Sequence, residues 1–142
     1  MHNKRLRSDF YGLDIHYGKM NLIPSHNFCC FFIVEYTFDE EFIRKQALQL
    51  LITNCDYYAF VGSLSHLWKT VFDEVAEMIY QNSSEKSPQI NECINIDDFV
   101  SKLHSELSCR PFVPCDKYLI YDDENLYQAA IKKIRYDKKL RC

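Results

Sequence analysis

Three carboxylates stand where segments of strand character run out. Glu35 closes one apolar run, and Asp122 and Asp123 follow another. In an open parallel sheet, ligands are taken beyond the carboxyl ends of the strands. Three carboxylates converging at such a rim can hold Mg²⁺ through oxygen ligands. They can also divide into a general acid and a general base. The same residues have a plainer use, in which Asp122 and Asp123 cap a helix and Glu35 ends a strand.

Other chemistries find less to work with. The chain has three glycines, in no GxGxxG or GxxxxGK[ST] arrangement, so no phosphate cradle is legible. A GxSxG elbow is also missing, which removes the usual α/β-hydrolase nucleophile. The five histidines (His2, His16, His26, His66 and His104) are scattered, and none pairs at helical spacing with another His or a Cys. The seven cysteines are Cys29, Cys30, Cys55, Cys93, Cys109, Cys115 and Cys142. Their odd number, and an N-terminus without a secretory pattern, argue for reduced thiols acting as small hydrophobes. Cys93, Cys109, Cys115 and a His could meet at a zinc ion, but their spacing follows no zinc pattern. No cofactor is expected.

The side chains suited to binding are more numerous. Ten Tyr, ten Phe and one Trp make 15% of the chain. Tyr and Trp are enriched at interfaces because each joins an apolar body to a polar tip. Tyr57, Tyr58 and Trp68 are the leading anchors. Acidic clusters at Asp39-Glu40-Glu41, Asp73-Glu74 and Asp122-Asp123-Glu124 can face a basic partner, or can be ordinary solvated helix surface. A net charge of −3, from 17 basic and 20 acidic residues, disfavours nucleic acid as a direct partner. No apolar run reaches the roughly 18 residues needed to cross a bilayer, so no membrane association is expected and the compartment expected is the cytoplasm.

Positioning these residues requires an alternation of strands and helices. Phe28 to Tyr36 (FCCFFIVEY) is continuously apolar and reads as a strand buried on both faces. Thr37 and Glu40 form a capping-box pattern for a helix over 38–53. Asp56 to Val61 is a second strand, ended by Gly62, with Ser63 or Ser65 to cap the next helix. Leu64, Leu67, Trp68, Val71, Phe72, Val75 and Ile79 then keep the i, i+3, i+4 rhythm of an amphipathic helix. Residues 82–89 are a polar surface loop, and Ile90 to Ile96 holds a weak strand. A short helix capped by Asn95 or Asp97, a strand over Lys117 to Tyr121, and a last helix complete the chain. Leu13 to Tyr17 suggests an edge strand, and residues 1–8 a flexible basic arm. The pattern implies one domain over 1–142 of the α/β class. In it a mostly parallel sheet of three to five strands is flanked by about four helices in three layers.

The segment from Asp56 through Ile79 resembles small bacterial immunity proteins encoded beside polymorphic and contact-dependent toxins. Tyr57, Tyr58, Leu64, Leu67 and Trp68 also resemble the Tyr-Tyr pair and Leu-x-x-Leu-Trp helix of barstar-like ribonuclease inhibitors. Where those inhibitors carry acids around the helix, this chain has Ser65 and Lys69, so their electrostatic plug is not carried over. The resemblance implies a non-enzymatic protein that neutralises a cognate protein toxin by binding it. The alternative is a metal-dependent or phospho-accepting domain built on Glu35, Asp122 and Asp123. A receiver-like site of that kind also uses a Thr or Ser and a Lys at later strand ends, and the sequence does not place both.

Overall fold

The apolar run at Phe28 dictates the centre of the molecule. In the computed structural model, which describes residues 3–7, 10–15, 27–82, 87–109 and 116–136, it forms a strand whose six residues are all fully buried. In chain order the elements are β1 (Asn3–Arg7), β2 (Phe10–Asp14), β3 (Phe28–Ile33), α1 (Glu40–Leu51), β4 (Cys55–Val61), α2 (Ser65–Tyr80), β5 (Gln89–Glu92), α3 (Ile96–Cys109), β6 (Asp116–Tyr121) and α4 (Glu124–Tyr136). They build one six-stranded sheet in the order β1-β2-β6-β3-β4-β5. From β2 to β5 every pairing is parallel, and β1 adds antiparallel to β2 at the edge. The parallel α/β architecture with four helices is the one the strand–helix alternation implied. The arm expected to be flexible is instead strand over Asn3–Arg7. Residues 83–86 of the 82–89 loop lie outside the described residues, and its last residue, Gln89, starts β5.

The alternation of side chains along β3, β4 and β6 feeds two cores. One face of the sheet, with Cys30, Phe32, Tyr58, Phe60 and Ile120, packs under α1 and α2. The other, with Phe31, Ile33, Ala59, Leu119 and Tyr121, packs under α3 and α4. Trp68 is wholly buried, with its ring centroid 5.2 Å from that of Phe32 and 6.2 Å from those of Phe60 and Phe72. Aromatic pairs of this kind, tilted or stacked, add roughly 0.5–1.5 kcal/mol beyond area burial.

Every helix follows a parallel strand, so every helix begins at the same edge of the sheet. Their starts differ from the sequence reading in two places. The α1 cap is Asp39, whose carboxylate accepts from the Glu41 N–H at 3.0 Å, rather than Thr37. The Thr37 backbone is engaged by tertiary contacts, so the helix opens two residues later. In α2 the cap position is Leu64, with no side-chain bond, because Ser63 and Ser65 turn to carboxylates on other elements. Asn95 does cap α3, accepting from the Asp98 N–H at 2.9 Å.

Gly62 makes the turn from β4 to α2 at φ 115°, where a side chain is strained. A Cβ there would also sit 2.4 Å from the Val34 carbonyl oxygen. Gly62→Ala is therefore expected to destabilise the fold by about 1–3 kcal/mol. The measurement is a lower urea midpoint with an unchanged denaturant slope.

Candidate functional site

The edge where β3 and β6 end is the switch point of this sheet. From β3 the chain turns to α1 on one face, and from β6 to α4 on the other. Parallel α/β folds take ligands in the crevice so formed. Here the protein fills it with its own carboxylate. The Asp122 N–H extends the β6–β3 ladder to the Ile33 carbonyl at 3.1 Å. Its side chain then reaches the next loop, where Oδ1 accepts from the Glu35 N–H at 2.8 Å. Oδ2 accepts from the N–H groups of Tyr36 at 2.9 Å and Thr37 at 2.8 Å. Successive backbone N–H groups converging in this way form an anion nest, and Asp122 is its occupant.

Two further bonds fix the same loop. The Glu35 carboxylate accepts from the Ser63 backbone N–H at 3.2 Å and from the Ser63 hydroxyl. The Trp68 Nε1–H donates to the Thr37 carbonyl at 2.8 Å. Asp123 caps α4, accepting from the Asn125 N–H at 3.0 Å. Glu35, Asp122 and Asp123 therefore share an edge but serve three different sets of donors. Among the described residues, no group of three or more His, Cys, Asp or Glu is placed to hold a metal ion. Both Asp122 oxygens are engaged by backbone N–H groups of the neighbouring loop, and Glu35 is engaged by Ser63.

The aromatic anchors read from the sequence require correction. Tyr57 is 6% exposed, and Tyr58 and Trp68 are not exposed at all. β4 lies between β3 and β5 with helices over both faces, so its adjacent tyrosines point into the two cores and not to the surface. Burial raises the Tyr58 hydroxyl far above the usual phenol range, with Cys55 and Cys30 adding to the effect. The exposed aromatics are Tyr36, at 64%, and Phe38, at 73%. Both ride on the loop that Asp122 holds. Phe38 precedes the α1 cap, from where an apolar side chain usually folds onto the fourth helical residue. That residue, Ile43, is wholly buried, whereas the Phe38 ring stands in solvent.

The acidic clusters also separate. On α2, Asp73 pairs with Lys69 at 2.5 Å and Glu74 with Arg44 at 3.0 Å. On α3, Asp98 pairs with Lys102 at 2.8 Å, and that bond holds its carboxyl below the usual range. Asp97 pairs with Lys133 on α4. Asp39, Glu40, Glu41, Asp123 and Glu124 form no ion pair among the described residues. They flank the Tyr36–Phe38 loop at the N-termini of α1 and α4. An open groove of about 320 Å³ lies between α2 and β5, with Asp73, Glu77, Tyr80 and Ile90 in its wall.

Cys29, Cys30, Cys55 and Cys93 are buried and in no disulfide. Cys109 has only its backbone described, and Cys115 and Cys142 lie outside the described residues, so the zinc grouping falls outside the described residues. Burial pushes the Cys93 thiol up to about 11. Because the thiolate is the reactive form, Cys93 is expected to resist iodoacetamide at pH 8 in the native protein. It should react fully in denaturant, as read by peptide mass spectrometry.

Sequence reasoning passed over Phe38 because it counted the residue into α1. The signal available was its place outside the helix's buried stripe of Ile43, Ala47, Leu50 and Leu51. Compared with known proteins, the chain matches no family model, no curated protein and no solved structure.

The Asp122 carboxylate serves three charge-assisted bonds. Asp122→Ala is expected to destabilise the protein by about 2–4 kcal/mol. Asp122→Asn, which exchanges one acceptor oxygen for a donor, should fall between the two. Urea denaturation followed by the emission of Trp68, the one tryptophan, measures both.

Proposed function

We propose that this chain is a non-enzymatic binding protein, acting in the cytoplasm as an immunity protein that neutralises a cognate bacterial toxin by occluding it. The observation that carries this reading is the Tyr36–Phe38 loop. Two aromatic side chains are held in solvent by a loop whose three successive N–H groups are already bonded to Asp122. Ordering a loop in advance removes entropy that association would otherwise lose, and aromatic side chains dominate the energetics of many interfaces. The commitment of Glu35, Asp122 and Asp123 to internal donors supports binding over acid–base or metal chemistry at this edge.

The experiment is co-expression with the protein encoded immediately upstream of this chain's own gene, which the reading requires to be a toxin. Growth protection and a stable complex are expected. Tyr36→Ser with Phe38→Ser should lose both, with a shift in Tm of less than about 2 °C, since these exposed rings contribute little to the core. Absence of a complex and of protection, with both proteins folded, overturns the reading.

A further inference from the structure

We infer that the edge formed by the β3–α1 and β6–α4 loops is a docking surface for a basic protein face. On it, Lys or Arg side chains meet the acids that no cation of the chain neutralises among the described residues and lie against the rings of Tyr36 and Phe38. This rests on the binding reading above and adds where the partner sits and what it presents.

The charge pattern selects this edge over the rest of the surface. In a parallel α/β sheet every helix N-terminus lies at the strand C-ends, and the helix dipole favours acids there. That rule alone would place acids at α1, α3 and α4 alike, and it does. What distinguishes the sites is neutralisation. The α3 acids Asp97 and Asp98 are matched by Lys133 and Lys102, and the α2 acids Asp73 and Glu74 by Lys69 and Arg44. Asp39, Glu40, Glu41, Asp123 and Glu124 have no such match among the described residues. Arg44, one turn into α1, is drawn away from them by Glu74.

The Asp122 bonds to the Glu35, Tyr36 and Thr37 N–H groups join the two loops, which brings the acidic N-termini of α1 and α4 to the same edge as the exposed rings. A guanidinium or ammonium group suits such a surface twice over. It is attracted by the carboxylates, and it is stabilised over an aromatic face by roughly 0.5–1 kcal/mol at an exposed site. An acidic partner would meet like charge across the whole patch. A purely apolar one would leave five carboxylates facing an uncharged surface.

A deca-arginine peptide titrated into the ¹⁵N-labelled full chain at low salt tests the inference. Saturable shifts are expected at the amides of Glu35 to Glu41 and Asp122 to Glu124. The triple variant Glu40→Gln, Glu41→Gln and Glu124→Gln should weaken binding roughly tenfold, as three exposed charge contacts would. Asp73→Asn with Glu74→Gln should change it by less than about twofold, because those charges are already paired. Phe38→Ser should weaken it about threefold through the lost ring. Shifts centred on α2, equal weakening by both sets of neutralised acids, or no saturable binding would each overturn the inference. The toxin experiment remains separate. A chain that takes the peptide at this edge yet protects against nothing keeps this surface and loses the immunity reading. A chain that protects while the peptide settles elsewhere does the reverse.

Discussion

One carboxylate sets the form of the edge where the parallel strands end. Asp122 stands at the switch point between β6 and β3 and satisfies three consecutive backbone N–H groups of a loop that belongs to neither helix. Orphan amides at such a place must find an acceptor, and in many parallel folds the acceptor is a bound phosphate. Supplying it from the chain itself has two effects. The crevice is closed to an external anion, and the loop is held in one conformation. The Trp68 indole bonded to the Thr37 carbonyl and the Ser63 groups bonded to Glu35 secure the same segment from the α2 side. A rigid edge with outward-facing rings follows from these bonds without any further device.

Charge at this edge has a general origin and a particular outcome. Parallel topology gathers helix N-termini, helix N-termini favour acids, and so the strand C-ends become acidic by local rules. Lys69, Lys102, Lys133 and Arg44 are instead matched to acids of α2 and α3. What remains around Tyr36 and Phe38 is negative potential beside apolar surface, a combination that steers partners and then holds them.

The fold was largely legible in the residues and the surface was not, for physical reasons. The unbroken apolar run of β3 and the Trp68 helix declare themselves through burial, which acts on whole elements and leaves a period in the sequence. Caps are decided by single bonds, and tertiary demand overrode local pattern at Thr37, Ser63 and Ser65. Tyr57 and Tyr58 looked like amphipathic anchors because tyrosine composition does not reveal that a strand is covered on both faces. β1 was unreadable because its pairing to β2 uses backbone groups, to which a basic sequence gives no hint. Phe38 became visible as an exposed ring only once the cap was fixed at Asp39.

The strand order also governs how the chain can be assembled. β6, among the last elements to be synthesised, lies between β2 and β3. Until it arrives, β3 and β4 can pair and receive α1 and α2, but one edge of β3 stays open and β2 has no parallel neighbour. An uncovered apolar strand edge invites pairing with other chains. Closing so long a loop also slows folding relative to folds built from local contacts. The insertion of β6 is thus the step that turns a half-formed sheet with a hazardous edge into a finished one. Through Asp122, the same step locks the loop on the opposite side of the seam.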